Sequence, residues 1–224
     1  MRSVMPALEE AAAQHLVQRD PYPIVAAPNT QVIAKTIEAA QKTNQKILVI
    51  GSGSSFGAQF TLLREDIIAI TTSGFRGINV QNEFAVIVAA GTPVAELVRP
   101  HSEYSGKTLG GLLAREAKGR DRDYQRAVWQ KVALIEIMDG NGHQRILPGP
   151  AKANSHSSAG SDCLLGSRGR LCIITGIQFA QSLPIEIVLP EESSTLLQLS
   201  SAGRSPLHHE ELSATLDPFS LFKW

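Results

Sequence analysis

The stretch KILVI-GSGSSFG at residues 46–57 joins a short apolar run to a loop of glycine and serine. An apolar run that stops at turn-forming residues predicts a buried β-strand. Glycines let the backbone take positive φ angles and let a ligand come close to the chain. Backbone N–H groups at the end of a strand or helix can face an anion. The stretch therefore predicts a strand that leads into an anion-binding loop, the first glycine loop (residues 51–57).

Two further glycine-rich loops follow later in the chain. The second glycine loop is SGKTLGG at residues 105–111, and the third is GSRG at residues 166–169. One such loop is weak evidence, because glycines also form ordinary turns. Three of them in one small chain favour an extended cofactor that carries phosphate groups.

Two common nucleotide-binding motifs fail on spacing. Gly51, Gly53 and Gly57 are one residue too widely spaced for the dinucleotide motif G-x-G-x-x-G, and no helix pattern follows them. Residues 106–108 (GKT) resemble the end of a P-loop, but that motif needs glycine where His101 stands. The sequence therefore supports neither a Rossmann nucleotide site nor an ATPase.

Secondary-structure patterns lie on both sides of the first loop. Asn29 and Thr30 offer a cap to a helix whose apolar residues recur from Val32 onward. Thr92 and Pro93 predict a strand-to-helix turn, with Thr92 as the cap and Pro93 in the first helical position. Predicted strands cover residues 24–26, 46–50, 67–70, 84–90, 132–138, 145–147, 171–174 and 185–189.

Two polar segments have clear local meanings. The sequence DGNG at residues 139–142 predicts a hairpin turn between two of these strands. The mixed-sign charges at residues 115–126 are typical of a solvated face. Both segments predict surface features and neither indicates a catalytic group.

Composition excludes several classes of protein. The 224 residues suit one domain or two small subdomains, and 43% hydrophobic with 19% charged residues is a globular composition. Lys plus Arg and Asp plus Glu both number 21, which disfavours nucleic-acid binding and a polybasic membrane surface. No apolar stretch reaches the roughly 20 residues of a membrane span, and the N-terminus lacks a secretory pattern. We therefore expect a cytoplasmic protein.

Cysteine and histidine give no metal or catalytic signature. Cys163 and Cys172 are too few for a disulfide scaffold or a closed Cys-only zinc site, so we expect buried free thiols. None of the six histidines stands in a motif that marks a general base. No metal site and no catalytic residue is predicted.

The three loops, in their order along the chain, resemble the FAD-binding domain of the p-cresol methylhydroxylase and vanillyl-alcohol oxidase superfamily. The resemblance covers residues 21–180, through a G-x-G-x-S block, a T-x-G-G block and a closing G-S-R-G-x-L-x-I-I-T block. It implies an α+β fold of two α+β subdomains, the PCMH-type FAD-binding fold, with FAD in the seam between them. The implied divisions are residues 1–75, residues 76–182, and an irregular arm with a C-terminal closing segment at residues 183–224.

The resemblance also implies which residues contact the cofactor. Backbone N–H groups of the first loop would surround the FAD pyrophosphate, the T-x-G-G block would form the second wall, and the third block would add a backbone contact. Many family members attach the flavin through a histidine at the position of Ser54, and serine cannot form that bond, so non-covalent FAD is implied. The implied residues are Gly51, Ser52, Gly53, Ser54, Ser55, Thr108, Gly110, Gly111 and Ile173.

The C-terminal region narrows the expected function. Residues 211–222 resemble the family's closing segment but follow closely after Phe179, so the substrate-binding cap domain is expected to be almost entirely absent. The chain resembles the small FAD-binding subunit of glycolate oxidase complexes. The resemblance implies an oxidoreductase or oxidoreductase subunit that accepts a hydride from a small substrate, a 2-hydroxy acid such as glycolate, with a protein partner that supplies the pocket.

The alternative is a non-catalytic flavin-binding remnant or a cofactor-free interaction protein. Cys172 stands where the family has glycine, and Lys118 and Arg120 stand where small residues are common. If Cys172 crowded the backbone approach of the cofactor, FAD affinity would be weak.

Overall fold

A computed structural model describes most of the chain. The described residues are 8, 10, 12–18, 23–53, 66–82, 85–98, 104, 106–151, 159–180, 185 and 214–222. Ser54 and Ser55 of the first loop lie outside them, as does the predicted strand at residues 185–189 except for its first residue.

The first sheet has four strands and is mostly parallel. Its order is β1-β2-β4-β3, with β2, β4 and β3 parallel to one another and β1 antiparallel to β2. The strands are β1 (Leu16–Gln18), β2 (Ile24–Ala26), β3 (Lys46–Ile50) and β4 (Ile67–Thr71). The strand predicted at residues 46–50 is therefore β3, at one edge of this sheet.

Helix α1 (Thr30–Thr43) covers one face of the first sheet. The Asn29 side chain accepts a hydrogen bond from Val32 N at 3.0 Å, which confirms the predicted cap. Ile33 and Ile37 of α1 pack with apolar residues of the sheet to form the first core. The helix ends at Asn44, whose φ of 51° is a left-handed C-cap.

The second sheet has five strands and is antiparallel throughout. Its order is β5-β6-β9-β7-β8. The strands are β5 (Ile78–Asn82), β6 (Ala85–Ala89), β7 (Val132–Met138), β8 (Gln144–Pro148) and β9 (Ile173–Phe179). Residues 139–142 connect β7 to β8, as the DGNG turn predicts.

Helices cover one face of the second sheet and form the second core with it. Leu112 and Val128 pack against Val88 and Ile135 of the strands. The helices are α2 (Leu109–Ala114), α3 (Gly119–Trp129) and α4 (Ala159–Asp162). Two sheets, each with its own helices, give the described part of the chain the expected α+β fold.

The segment after β6 differs from the sequence prediction. Thr92 does not cap a helix: its hydroxyl donates to Gly77 O at 3.2 Å and accepts from Gly77 N at 3.1 Å. Pro93 stands just before a single 3-10 turn, Val94–Glu96. The predicted cap is wrong because the hydroxyl satisfies the backbone at the start of β5, a partner distant in sequence.

Residues 214–222, the C-terminal segment, connect the two cores. Leu216 packs in the second core, whereas Leu221 and Phe222 pack in the first. Ile47 N donates to Leu221 O at 2.7 Å, so the segment covers the free edge of β3. The Asp217 carboxylate accepts from Leu221 N at 2.7 Å and from Phe222 N at 3.1 Å, which holds the turn in shape.

Candidate functional site

The first and second glycine loops meet at the end of β3. A Cβ placed on Gly51 would lie 2.5 Å from Thr108 Oγ1 and 3.4 Å from Gly111 Cα. A Cβ on Gly111 would lie 2.8 Å from the same hydroxyl oxygen. Only glycine fits at both positions without displacement, so the close approach of the two loops depends on this glycine pair.

The third loop joins the same place. Gly166 N donates to Leu113 O at 3.0 Å and Arg168 N donates to Ala114 O at 2.6 Å, which binds the loop to the end of α2. A Cβ on Gly169 would lie 3.0 Å from Val49 Cβ, so the loop also rests on β3. We call the meeting of residues 51–53, 108–111 and 166–169 the three-loop junction.

Backbone donors of the second loop are already bonded within the protein. Leu109 N donates to Thr92 O at 2.9 Å and Gly110 N to Ala90 O at 2.8 Å. Gly111 N donates to Thr108 Oγ1 at 3.2 Å. The buried Thr108 hydroxyl therefore serves as the N-cap of α2. The second loop can offer a close-packed wall to a ligand but not these three N–H groups.

The described part of the first loop is more open. Ser52 is exposed, and Gly53 has a φ of +79° with no heavy atom within 4 Å of its Cβ position. Positive φ turns successive N–H groups toward one side of the chain, as in anion-binding nests. This part of the loop therefore leaves its backbone accessible to a ligand.

Ile173 lies at the start of β9 and has no exposed surface. Its side chain packs in the first core and its Cα pairs with Met138 of β7. The 0% exposure includes the backbone, so the backbone contact that the resemblance implies stays a prediction.

Charged side chains beside the junction are paired with one another. Arg115 Nη2 lies 2.5 Å from Asp121 Oδ2, and Arg168 pairs with Glu116. The Tyr104 hydroxyl donates to Asp121 at 2.7 Å, and this bond, together with Arg115, lowers the pKa of Asp121. Two of the basic side chains beside the junction are therefore neutralised by carboxylates.

Gln125 is a structural residue that the charge pattern concealed. It lies in the charged run but is buried, and its Nε2 donates to Leu112 O at 2.7 Å, to Leu113 O at 3.0 Å and to Arg115 O at 2.7 Å. It thereby satisfies carbonyl groups at the end of α2. The apolar spacing of Tyr124 and Val128 is the sequence signal that places a buried face here.

Cys172 does not stand at the surface of the third loop. It is a free thiol in the second core, as is Cys163, which confirms the expectation of buried free thiols. Burial raises the pKa of Cys172, and the carboxylates of Asp139 and Asp217 raise it further. The side chain therefore stays a neutral thiol that fills core space.

The described residues contain neither a membrane-spanning helix nor a cluster of metal ligands. No helix there is long and apolar enough for a membrane crossing. Among the same residues, no group of three or more His, Cys, Asp or Glu is placed to hold a metal ion.

These residues fit an FAD pyrophosphate. Gly51 and Gly111 pack against Thr108 with no room for a side chain, which forms a closed wall, and Gly53 keeps the neighbouring backbone open. Two sheets whose loops meet at such a junction are the arrangement that the resemblance implies for an FAD-binding domain.

Comparison with known proteins agrees. Residues 21–147, more than half of the chain, match the family model described as FAD binding domain. The chain belongs to this family. A comparison with curated proteins gave no match.

Solved structures share the fold. One structure of alkyldihydroxyacetonephosphate synthase superposes with a TM-score of 0.56 at 18% identity, covering 71% of this chain and 31% of that one. A second crystal form gives a TM-score of 0.54 at 20% identity, with coverage of 71% and 32%. The chain thus spans about a third of the length of these proteins. At such low identity the likeness shows the fold alone.

Proposed function

We propose that this chain binds FAD at the three-loop junction without a covalent bond. The observation that carries the proposal is the contact of Gly51 with Thr108 and Gly111, which brings two loops from different sheets into one cradle. Ser54 in place of an attaching histidine supports the non-covalent mode.

Each residue of the proposed site is given a role that the resemblance implies. Ser52 and Gly53, with Ser54 and Ser55 beyond them, would donate backbone N–H groups to the pyrophosphate. Thr108, Gly110 and Gly111 would form the opposite wall by close packing, and Ile173 would contribute its backbone. Bound FAD would supply hydride acceptance, and the protein would supply position and electrostatics.

We propose further that the chain is an oxidoreductase or an oxidoreductase subunit in the cytoplasm, with a 2-hydroxy acid such as glycolate as the substrate. A protein partner would provide the substrate pocket, as the resemblance to the small FAD-binding subunit of glycolate oxidase complexes implies. The proposed divisions are residues 1–75, 76–182 and 183–224. The turn at residues 72–77, which leads from β4 to β5, supports the first boundary.

The visible spectrum of the purified protein tests FAD binding. We expect flavin absorbance, and we expect the yellow colour to pass an ultrafiltration membrane after denaturation. Gly53→Ala should weaken FAD retention about tenfold, because it restricts the backbone of the open loop. Gly74→Ala is the matched control, since its Cβ also meets nothing within 4 Å and it lies outside the loops. A colourless protein that FAD cannot reconstitute would overturn the proposal, and colour retained with the denatured chain would overturn the non-covalent mode.

Anaerobic reduction tests the substrate and the partner. Glycolate should bleach the flavin absorbance of the complex isolated with its partner, and should act more slowly on the chain alone. A lone chain that is reduced at the same rate as the complex would contradict the subunit proposal. A flavin that no 2-hydroxy acid reduces in either sample would leave FAD binding intact and remove the proposed substrate.

A further inference from the structure

Helix α2 is too short to determine its own position. It has six residues, Leu109–Ala114, and therefore extends only about 9 Å. Isolated helices of this length are unstable in water, so tertiary contacts must determine where α2 lies. Its first turn contains Gly110 and Gly111 of the second loop, and its last turn contacts the third loop. A shift of α2 would therefore move two parts of the three-loop junction at once.

The last carbonyl groups of α2 accept hydrogen bonds from two other segments. In the third loop, Gly166 N donates to Leu113 O at 3.0 Å and Arg168 N donates to Ala114 O at 2.6 Å. The buried side chain of Gln125 on α3 also donates to Leu113 O, at 3.0 Å. The Leu113 carbonyl therefore joins α2, α3 and the third loop.

Gln125 holds the residues on both sides of that contact as well. Its Nε2 donates to Leu112 O and to Arg115 O, each at 2.7 Å. One side-chain amide with two N–H groups thus serves three consecutive parts of the same turn. Gln125 is only 3% exposed, and buried carbonyl groups that lose their donor are costly. This amide therefore fixes the end of α2 against α3.

Asp121 adds a second contact from α3. It precedes Gln125 by one helical turn, so the two side chains lie on the same face of the helix. Its carboxylate accepts from the Tyr104 hydroxyl at 2.7 Å and pairs with Arg115 Nη2 at 2.5 Å. Tyr104 stands just before the second loop and Arg115 just after α2. Asp121 therefore holds both ends of the segment that contains the second loop.

We propose that Gln125 and Asp121 are positioning residues for the cofactor. They hold α2 where the second loop closes against Gly51 and the third loop lies against α2. This role rests on the proposed binding of FAD at the three-loop junction. Gln125 has the larger effect because it is the buried member of the pair. Loss of its amide lets α2 tilt, separates the loops and lowers FAD affinity in a chain that stays folded.

FAD titration of folded variants, followed by flavin fluorescence, measures the affinity. Gln125→Met keeps an unbranched side chain but removes both N–H groups, and we expect about tenfold weaker binding. Asp121→Asn should weaken binding several-fold, because it removes the charge that pairs with Arg115. Gln130→Met and Asp123→Asn make the same changes at exposed positions of α3 and its C-cap, and should bind as the wild type does.

Hydrogen exchange of the cofactor-free protein gives a readout that does not need FAD. In Gln125→Met we expect faster exchange of the Gly166 and Arg168 amides, because α3 no longer holds the carbonyl groups that accept them. The amides of β4, in the first sheet, should keep their wild-type rates. Ile37→Val, which lowers stability in the first core, controls for a general loss of stability. It should leave both FAD affinity and exchange in the third loop unchanged.

The outcomes separate this proposal from the binding of FAD itself. If the wild type binds FAD and folded Gln125→Met binds it equally well, the positioning role is overturned and the cofactor proposal stands. Unchanged exchange at Gly166 and Arg168 in Gln125→Met would also overturn the role. Equal weakening by Ile37→Val would show that FAD affinity follows overall stability, again against a positioning role. A wild type that binds no FAD overturns both proposals.

Discussion

At the scale of single residues, Gly51 and Gly111 determine how closely the two sheets approach at the junction. Thr108 Oγ1 occupies the space between them, and it must stay there because it caps α2 through Gly111 N. A methyl group at either glycine would have to displace this hydroxyl or separate the loops. The substitution would therefore weaken both the packing of the two loops and the N-cap of α2.

Gly51→Ala is expected to lower the free energy of unfolding by about 1–3 kcal/mol, because the added Cβ would lie 2.5 Å from Thr108 Oγ1. Gly74→Ala has open space around its Cβ and should change stability by less than about 0.5 kcal/mol. Urea denaturation of the three proteins measures the difference. Equal midpoints for Gly51→Ala and the wild type would show that the loops separate without cost, contrary to the close packing described here.

At the scale of elements, the turn between β7 and β8 is built around one buried carboxylate. Asp139 Oδ1 accepts from Asn141 N and His143 N, both at 2.9 Å, and Oδ2 accepts from Arg145 Nε at 2.6 Å. Burial alone would raise the pKa of Asp139, but the Arg145 bond and the two backbone donors outweigh it and lower the pKa. The ionised form therefore stabilises the hairpin.

The sign of the pH dependence follows from this lowered pKa. The stabilisation by Asp139 is fully present above the pKa of an unfolded aspartate, about 3.9, and is lost as the pH falls through the lower folded-state pKa. Asp139→Asn should be less stable by about 1–3 kcal/mol at pH 7 and should lose less stability than the wild type in acid. Asp123→Asn, an exposed position on α3, is the control and should follow the wild-type pH profile. A wild-type profile in Asp139→Asn, measured by urea denaturation from pH 7 to 3, would contradict this account.

Local signals were read correctly from the sequence where the partner is close along the chain. The Asn29 cap and the DGNG turn depend on residues within a few positions, and both are present. The predicted Thr92 cap was wrong because the partner of its hydroxyl, Gly77, lies 15 residues away, just before β5. Gly110 was implied only as part of a wall of the cofactor site, and the loop pattern did not predict that its N–H donates to Ala90 O. A local pattern cannot show which distant carbonyl takes a donor, so the loops could be predicted but not the use of each N–H.

Two features outside the three-loop junction also depend on contacts between residues distant in sequence. The apolar run at residues 171–174 predicts the start of β9, but the register shift at Thr175 depends on how β7 pairs with β9. The charge pattern predicts a solvated position for Gln125. In the structure, its side-chain amide is buried and donates to three carbonyl groups at the end of α2. Both features come from tertiary pairing and carry no mark in composition or spacing.

At the scale of the whole molecule, the C-terminal segment makes the two cores depend on each other. Leu216 is buried in the second core and Phe222 in the first, with Asp217 holding the turn between them. Gly140 N donates to Leu216 O at 2.6 Å, so the segment also contacts the β7–β8 turn. Loss of packing in one core should therefore lower the stability of the other.

Phe222→Ala is expected to lower the free energy of unfolding by about 3–5 kcal/mol, because Phe222 is 0% exposed. Phe219 is 56% exposed, so the control Phe219→Ala should change the free energy of unfolding by less than about 0.5 kcal/mol. Trp129 lies in the second core and, in a Trp224→Phe background, reports on that core by fluorescence. If the segment couples the cores, Phe222→Ala shifts the urea midpoint seen by Trp129 as far as the midpoint seen by circular dichroism. A Trp129 transition that stays at the wild-type midpoint while circular dichroism shifts would mean that the cores unfold separately. Coincident shifts would mean that the two cores unfold as one cooperative unit, joined by the segment at residues 214–222 and by Met138 and Ile173 of the second sheet, which pack in the first core.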